Sequence, residues 1–383
     1  MAGTGVSRPS LLIVTRNLPP LIGGMERLLA HAVDVLAVRF DVTVIGPRGV
    51  KRHCRTAVAV AECPSTPGLF LPCALLQGLL YCRRQRFVVI LGGSGLVAPI
   101  TWLLGLLSGI PSLLFIHGLD LVVDNLFYQR VFVTAIARHR LLIANSANTR
   151  ALAVDKGCVP DRVRVLHPGT RLPDVDECSA VQTFAESLGI VDATVILFVG
   201  RMVRRKGLVP FLRRAWPAIH GRIDNARLLV VGDTPTDALR RDPEGGTGLE
   251  EAAAGCPEGS IQFLGTVSDD ELWQCYAVAR CLVLPLIVVK GDVEGFGMVA
   301  IEAAACGTPT VAFAVGGVAD AVADGRSGTL VPAGDYRAFA DAVVAEATGP
   351  RDAEASRIEH ARRFSWTNYG NRLIELVTAI ARD

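Results

Sequence analysis

Short runs of aliphatic and β-branched residues alternate with longer amphipathic stretches along most of this 383-residue chain. In the first half the runs are LLIVT at 11, VTVIG at 42, FVVIL at 87, SLLFI at 112, LLIAN at 141 and VRVLH at 163. Such alternation is typical of a parallel sheet whose strands are connected by crossover helices. It predicts an α/β domain built on a doubly wound parallel sheet.

The same alternation restarts after a polar stretch, RLPDVDECSAVQ at 171–182. The later runs are TVILFVG at 194, RLLVVGD at 227, IQFLG at 261, CLVLP at 281, TPTVAF at 308 and GTLVP at 328. We therefore predict an N-terminal Rossmann-like domain at residues 1–175 and a second one at 183–363. The amphipathic stretch 364–383 predicts a final helix, with Ser365 as its N-cap.

Residues 87–119 contain no Asp, Glu, Lys or Arg and could be mistaken for a membrane span. Glycines at 92, 93 and 95 and the Gly-Ile-Pro sequence at 109–111 divide the segment into pieces. Each piece is shorter than the ~20 residues that a spanning helix needs. The segment predicts a strand, a helix and a second strand, and its apolar character fits a sheet covered on both faces.

Charge and cysteine content exclude several classes of function. The net charge of +2 gives no overall field for nucleic acid. The ten cysteines form no CxxC pairs, so neither a zinc site nor a disulfide framework follows. The start of the chain, MAGTGVSRPS, does not resemble a signal peptide, and a reducing cytoplasm is the expected compartment. Basic clusters at 51–55 and 83–86 indicate either an anionic partner surface or solvated faces.

Two motifs of the first domain follow strands, where ligands of open parallel sheets bind. In NLPPLIGGMERLLAHAV, the paired glycines Gly23 and Gly24 stand before a helix, and glycines let the backbone approach a ligand closely. In SLLFIHGLD, His117 directly follows a strand of the buried type. A lone histidine is more often structural, but a strand end that faces a ligand favours function. Asp120 and Asp124 are weaker candidates.

In the second domain, FVGRMVRRKG places cations just after a strand. Arg201 and Lys206 stand where an anionic ligand would bind, and together they could neutralise a departing diphosphate. Arg204 and Arg205 are expected to be solvated.

The stretch EGFGMVAIEAAACGTPTVAF, at 294–313, carries two carboxylates in an otherwise apolar run. A buried carboxylate needs a partner. If a helix begins near Phe296 or Gly297, its free N–H groups attract an anion. Glu294 before the helix and Glu302 within it could then accept hydrogen bonds from hydroxyl groups on either side of a diphosphate.

Over nearly its whole length the chain resembles the retaining glycosyltransferases of family 4. These enzymes have the GT-B fold, in which two Rossmann-like domains face a central cleft. The resemblance is carried by GGMERL, FIHG, ANSANTR, FVGRMVRRKG and above all by EGFGMVAIEAAACGTPTVAFAVGG, which matches the E-x7-E motif of the family. It also implies that the final helix crosses back to the N-terminal domain.

The resemblance implies a role for each site residue. The implied catalytic residues are His117, Arg201, Lys206 and Glu294. The implied donor-binding residues are Gly23, Gly24, Phe296, Gly297, Met298 and Glu302. The two cations would bind the diphosphate, Glu302 the ribose, and Glu294 with the backbone at 296–298 the donor sugar and phosphates. His117 would contact the transferred sugar near its reacting carbon.

The implied reaction is metal-independent transfer of a hexose-type sugar from a nucleoside-diphosphate sugar, UDP being favoured over GDP, with no cofactor. A second carboxylate nucleophile is not obvious in the first domain, so front-face departure of the diphosphate is the expected route to retention. By analogy with relatives, the acceptor is a glycan or lipid-linked glycan of cell-surface polysaccharide or lipopolysaccharide. Peripheral contact with the inner membrane surface is expected on the same ground.

Two other readings share parts of this pattern. A nucleotide-sugar 2-epimerase has the same fold and would form no glycan product. A non-catalytic two-lobed sugar-binding protein would usually be exported, which the start of the chain does not favour. A dehydrogenase is disfavoured, because neither domain offers G-x-G-x-x-G after its first strand.

Overall fold

The computed structural model of the protein describes residues 8–173, 181–233 and 247–382. The chain forms two compact units: unit 1 runs to Gly169 and resumes at Trp366, and unit 2 is Thr170–Ser365. The predicted domain end at residue 175, like most of the polar stretch 171–182, lies outside the described residues.

Unit 1 contains a parallel sheet of seven strands in the order β3-β2-β1-β4-β5-β6-β7. The strands are β1 Ser10–Val14, β2 Asp41–Pro47, β3 Ala59–Cys63, β4 Val89–Gly92, β5 Ser112–Ile116, β6 Leu141–Ala144 and β7 Val163–Val165. The helices are α1 Gly24–Leu36, α2 Pro67–Arg84, α3 Ala98–Ser108, α4 Leu119–Val122, α5 Leu126–Tyr128, α6 Thr134–Ile136, α7 Ala147–Asp155 and, at the end of the chain, α17 Trp366–Arg382. Short 3-10 turns occupy Val50–Arg52, Gly95–Val97 and Pro160–Arg162, and a π-helical turn occupies Gln129–Val133.

Unit 2 contains a parallel sheet of six strands in the order β10-β9-β8-β11-β12-β13. The strands are β8 Thr194–Val199, β9 Ala226–Val231, β10 Ile261–Gly265, β11 Cys281–Leu284, β12 Thr310–Phe313 and β13 Gly328–Val331. The helices are α8 Val181–Leu188, α9 Leu208–Arg214, α10 Trp216–His220, α11 Thr247–Ala254, α12 Asp269–Val278, α13 Met298–Ala305, α14 Val318–Ala321, α15 Tyr336–Thr348 and α16 Glu354–Arg362. A 3-10 turn occupies Arg204–Lys206.

Each sheet is buried on both faces, which explains why its strands read as continuous apolar runs. Successive side chains of a strand point to opposite faces. Accordingly, Leu11 and Ile13 of β1 pack in one core layer with α1 and α17, while Leu12 and Val14 pack in the other with α2 and α3. In unit 2, alternate residues of β8 likewise divide between two layers. The predicted fold class, two Rossmann-like doubly wound parallel sheets, is confirmed.

The final helix α17 packs on α1 within unit 1. The ring of Trp366 stacks on that of His31 with 3.9 Å between centroids. Gly370 permits this close approach, because a Cβ there would lie 2.9 Å from Val35 Cγ2. Leu373 completes the contact as part of the buried core.

Every run that the sequence assigned to a strand contains one, and the sequence did not indicate β3. That strand, AVAEC, lies at the edge of the sheet, is only partly buried and includes a glutamate, so its apolar pattern is weak. The charge-free segment 87–119 is strand, helix and strand, as predicted. None of the helices among the described residues is both long enough and apolar enough to cross a membrane.

Strand order reverses direction between β1 and β4 in unit 1 and between β8 and β11 in unit 2. Open α/β sheets bind ligands outside the carboxyl ends of the strands at such switch points. The loops after these four strands are therefore where functional side chains are expected.

Candidate functional site

In unit 2, the loop after β8 carries the predicted cations. Arg201 is exposed, whereas Lys206, at the end of a 3-10 turn, is only 7% exposed. Gly207 follows with φ 70°, a left-handed conformation that favours glycine. A Cβ at Gly207 would overlap the carbonyl of Pro285, so this turn packs directly on the loop after β11. Glycine is thus required at this position by both conformation and packing.

Lys206 and Glu294 form a buried ion pair at the switch point. Lys206 Nζ lies 2.8 Å from Glu294 Oε2, and only 13% of the Glu294 side chain is exposed. Burial alone would raise the pKa of Glu294, but the charges of Lys206 and Arg205 outweigh it and lower this pKa to about 2. Burial lowers the pKa of Lys206, and Glu294 offsets this only in part. Glu294 is therefore ionised at neutral pH.

The sequence predicted a solvated Arg205, but its side chain is largely buried in the structure. Only 11% of its side chain is exposed, with Nε 3.4 Å from Asp292 Oδ1 and Nη2 3.7 Å from Glu294 Oε2. The backbone of the same residue is tied down as well, since Ile287 N–H donates to its carbonyl at 2.9 Å. Arg204, one position earlier, is exposed as predicted. The difference arises because the 3-10 turn directs adjacent side chains to different sides.

Arg201 belongs to the same electrostatic group. Its positive charge lowers the pKa of both Lys206 and Glu294, so it lies close enough to act on the pair. Three cations and two carboxylates, Asp292 and Glu294, then leave a formal charge of +1 at this edge of the sheet. This net positive charge would attract an anion. The attraction is stronger than at a fully exposed site, because the Lys206–Glu294 pair is shielded from water.

The loop that carries Glu294 is held by the glycine pair after β12. Gly317 N–H donates to the Glu294 carbonyl at 2.9 Å. Gly316 has φ 62°, and a Cβ there would lie 2.6 Å from the same carbonyl oxygen. The motif AVGG therefore fixes the backbone of Glu294, leaving its side chain to face the cations.

Helix α13 begins at Met298, with Gly297 as N-cap in a left-handed conformation at φ 89°. The N-cap residue makes no side-chain hydrogen bond to this helix. The first backbone N–H groups of α13 therefore receive no hydrogen bond acceptor from a capping side chain. Phe296 just before it is 2% exposed and packs against Phe364 with ring centroids 5.7 Å apart. The predicted start near 296–297 is thus within one or two residues of the observed one.

Glu302 lies in the middle of α13 and is 9% exposed. The hydroxyl of Tyr276 donates to Glu302 Oε2 at 2.7 Å. Tyr276 belongs to α12 and is fully buried. The sequence did not indicate this tyrosine, because a single buried aromatic in a helix usually signals only core packing.

In unit 1, His117 follows β5 and is 5% exposed. Its Nε2 lies 2.9 Å from the carbonyl oxygen of Gly93, which can only accept, so Nε2 carries the hydrogen. Nδ1 is buried and has no hydrogen-bond partner in the part of the chain that the structure describes. The backbone N–H of His117 donates to Asp120 Oδ2 at 2.9 Å, which gives that weaker candidate a structural role.

The paired glycines stand at the start of α1. Gly23, the N-cap of α1, has φ 162°, an extended conformation open to any residue. A Cβ at Gly23 would meet the carboxylate of Glu26, so this side chain, which accepts a hydrogen bond from Asn17, would have to shift. Gly24 begins the helix.

Glu26 anchors a buried hydrogen-bond network that the sequence did not indicate. Asn17 Nδ2 donates to Glu26 Oε1 at 3.0 Å, and Ser94 Oγ donates to Asn17 Oδ1 at 3.0 Å. Asn17 and Ser94 follow β1 and β4, the two strands at the switch point. Single Asn, Ser and Glu residues in separate loops give no periodic signal, so only the fold brings them together.

Comparison with known proteins matches both units to glycosyltransferases. Residues 22–172 match the profile of Glycosyltransferase Family 4, and residues 193–347 match that of Glycosyl transferases group 1. The D-inositol 3-phosphate glycosyltransferase 1 of Catenulispora acidiphila is 36% identical over 251 residues, covering 62% of this chain and 57% of that protein. The chain spans about half the length of the curated relatives it matches.

Solved structures of similar fold span almost the whole chain. Anabaena HepE, crystallised with UDP and glucose, has a TM-score of 0.77 and 18% identity, covering 97% of this chain and 100% of that one. Sucrose-phosphate synthase from Thermosynechococcus elongatus has a TM-score of 0.78 and 22% identity, covering 97% and 99%. At these identities the likeness concerns the fold.

Proposed function

Because the chain belongs to glycosyltransferase family 4, we propose that it is a retaining glycosyltransferase. It moves a hexose-type sugar from a nucleoside-diphosphate sugar to a glycan or lipid-linked acceptor, in the synthesis of cell-surface polysaccharide or lipopolysaccharide in the cytoplasm. The observation that carries this proposal is the buried Lys206–Glu294 ion pair at the switch point of unit 2. A buried ion pair is costly to fold, which favours a functional reason for it.

Lys206 and Arg201 bind the diphosphate of the donor in this proposal. Lys206 acts as a point charge, and the exposed Arg201 offers a planar fork to two phosphate oxygens. As the bond between sugar and phosphate breaks, negative charge grows on the diphosphate, and fixed cations stabilise it without reorganising. The N-terminus of α13, at Phe296, Gly297 and Met298, adds backbone N–H groups and the positive end of a helix dipole.

The two glutamates bind hydroxyl groups on either side of that diphosphate. A pKa lowered to about 2 keeps Glu294 ionised, so it only accepts hydrogen bonds and can hold the hydroxyls of the donor sugar. Glu302, further along α13, takes the ribose. When the diphosphate binds Lys206, it competes with Glu294 for that ammonium group, and the carboxylate is released toward the sugar.

In unit 1, His117 offers a nitrogen to a sugar hydroxyl. Its Nε2 donates to the Gly93 carbonyl. Nδ1, which has no partner among residues 8–173, 181–233 and 247–382, is therefore the atom offered to the transferred sugar near its reacting carbon. Gly23 and Gly24 bring the backbone at the start of α1 within reach of phosphate.

We propose UDP as the nucleotide and no metal ion or other cofactor, since the cations of unit 2 can neutralise the diphosphate themselves. UDP is also the nucleotide present in the Anabaena HepE structure. Retention follows from front-face departure, in which the leaving phosphate oxygen removes the proton of the acceptor hydroxyl.

The test is a thermal-shift screen of the purified chain against UDP- and GDP-sugars, followed by product analysis. A bound donor raises the melting temperature in proportion to RT ln(1 + [L]/Kd). We expect UDP-sugars to stabilise the protein, EDTA to leave this unchanged, and transfer to occur only with an acceptor, giving an anomer of unchanged configuration by NMR. Donor turnover to an epimer without an acceptor would favour a 2-epimerase, and binding without any turnover would favour a sugar-binding protein.

Peripheral contact with an anionic membrane surface is the second part of the proposal, and it rests on the outer face of α2 and α3. These helices cover the same face of the sheet, and their outer surfaces expose Leu69, Leu76, Leu80, Leu106 and Leu107. By contrast, α1 and α17 on the opposite face expose mainly polar side chains, such as Arg372 and Glu375.

Charge on the α2–α3 face favours anionic lipid over another protein surface. Residues 63–119 contain no Asp or Glu, and the exposed Arg83, Arg84 and Arg86 follow directly at the end of α2. Exposed apolar side chains beside cations suit the boundary between headgroups and acyl chains. Two copies meeting through this face would bring like charges together.

Vesicle sedimentation tests this part. We expect binding to phosphatidylglycerol vesicles and little to phosphatidylcholine, with loss of binding in Leu106→Ser/Leu107→Ser and in Arg83→Glu/Arg84→Glu. Arg372→Glu, on the polar face, is the matched control and should bind as the unaltered protein does. Equal binding by all variants would refute the assignment of this face, and concentration-dependent dimers lost in the leucine variant would point to a second copy instead.

A further inference from the structure

The buried hydroxyl of Tyr276 reaches a carboxylate of the proposed donor site. Tyr276 lies in α12, is 0% exposed, and donates to Glu302 Oε2 at 2.7 Å. A hydrogen bond to an ionised acceptor is about twice as strong as a neutral one, and burial strengthens it further.

The tyrosine is itself held rigidly against α13. Its backbone carbonyl accepts from Thr308 Oγ1 at 2.6 Å, just beyond the end of α13. Its ring packs edge-on against Trp273, with centroids 5.9 Å apart. At its start, α12 is fixed by a capping box between Ser268 and Glu271. The hydroxyl therefore has little freedom to move away from Glu302.

We propose that Tyr276 is a positioning residue for the donor ribose, acting through Glu302. This rests on the proposed function, in which Glu302 binds the ribose hydroxyls. A glutamate side chain has three rotatable bonds, and fixing one carboxylate oxygen fixes where the remaining lone pairs point. Ribose hydroxyls then meet an acceptor that is already oriented, and less conformational freedom is lost on binding.

The experiment compares two nucleotides and two tyrosines. Binding of UDP and of 2′,3′-dideoxy-UDP is measured by calorimetry on the unaltered protein, on Tyr276→Phe and on Tyr369→Phe. Tyr369 is the matched control, since it is 3% exposed and its hydroxyl has no hydrogen-bond partner among the described residues. We expect Tyr276→Phe to weaken UDP binding by about tenfold, the effect of one charge-assisted hydrogen bond. Binding of the dideoxy nucleotide should be unchanged, and Tyr369→Phe should affect neither.

Glu302→Gln provides a second measurement if Tyr276→Phe lowers the melting temperature. It should lose the same preference for UDP over the dideoxy nucleotide, and adding Tyr276→Phe to it should cause little further loss. If Tyr276→Phe keeps the full preference, or weakens both nucleotides equally, the positioning role is refuted while the proposed function stands. If the unaltered protein itself shows no preference for the ribose hydroxyls, the role of Glu302 fails and the inference fails with it.

Discussion

The switch points of the two sheets have the same topology and opposite polar chemistry. In unit 2, the side chains after β8 and β11 are ions, with Lys206 and Arg205 paired to Glu294 and Asp292. In unit 1, the side chains after β1, β4 and β5 are mostly neutral and joined by hydrogen bonds, with His117 facing a backbone carbonyl. Two carboxylates there accept hydrogen bonds from uncharged groups: Glu26 from the amide of Asn17, and Asp120 from the backbone N–H of His117.

This difference fits the proposal that one architecture serves two kinds of ligand group. Buried ions cost desolvation energy and need strong mutual attraction to persist. A network of uncharged hydrogen-bonding groups costs less desolvation energy. It fixes the positions of its side chains without creating a strong electric field. These properties support the proposed roles, a diphosphate bound by unit 2 and sugar hydroxyls contacted by unit 1. Removing groups from each edge should reveal this difference in the size of the effect.

The largest effect is expected from Lys206→Met. It leaves Glu294 buried without its main partner, and breaking a buried pair in this way costs about 3–5 kcal/mol in the free energy of unfolding. It also removes a cation from the proposed diphosphate site, and kcat/KM should fall by about 10²–10³. Chemical denaturation and steady-state kinetics measure the two effects.

The double variant Lys206→Met/Glu294→Leu separates stability from function. Replacing both charges by apolar groups should recover most of the lost stability, because neither ion is left uncompensated. Activity should stay low. Recovery of activity together with stability would mean that Lys206 supports the fold and not the diphosphate.

A smaller effect is expected from acid. The pKa of Glu294 is lowered from its ordinary value near 4.5 to about 2. The ionised group therefore stabilises the fold above about pH 4.5, and this contribution, roughly 3 kcal/mol, is lost as the pH falls toward 2. The stability gap between the unaltered protein and Glu294→Gln should accordingly narrow from pH 6 to pH 3 in urea titrations. A constant gap would contradict a charged pair.

The sequence predicted the two sheets and several of the charged site residues of unit 2. It predicted the uncharged, hydrogen-bonded residues less well. Alternating apolar runs predicted both sheets, because burial on both faces leaves a strong pattern, and the motif from 294 to 302 predicted Glu294 and Glu302. Arg205 and Asp292 were missed, since their pairing depends on how a single 3-10 turn directs neighbouring side chains. Asn17 and Tyr276 were missed because polar partners far apart in sequence share no spacing.

In unit 1, Asn17→Leu should have a moderate effect. It removes both the donor to Glu26 and the acceptor for Ser94. Each loss should cost about 1 kcal/mol, the low end of the range for an unsatisfied polar group, because Asn17 and Glu26 are each 8% exposed and keep some contact with water. Hydrogen exchange read by mass spectrometry should quicken in unit 1 peptides. Thr56→Val, which removes an exposed hydrogen bond to Asp34, is the control and should change little. If Asn17→Leu lowered the free energy of unfolding as much as Lys206→Met, the two switch points would not differ in the way described.

The smallest effect is expected from Arg204→Ala. This variant allows an exposed arginine to be compared with its buried neighbour on the same 3-10 turn. Arg204 and Arg205 are chemically identical neighbours, yet the first is exposed and the second is largely buried beside Asp292 and Glu294. Exposed charges are screened by water and salt. Arg204→Ala should therefore change the free energy of unfolding by less than about 0.5 kcal/mol. Arg205→Ala should cost more, because Asp292 and Glu294 each lose a cationic partner. Added salt should shrink the Arg204 effect further while leaving the Arg205 effect in place, because ions screen a buried pair poorly. If the two variants behaved alike, position on the 3-10 turn would not govern the electrostatics of this edge.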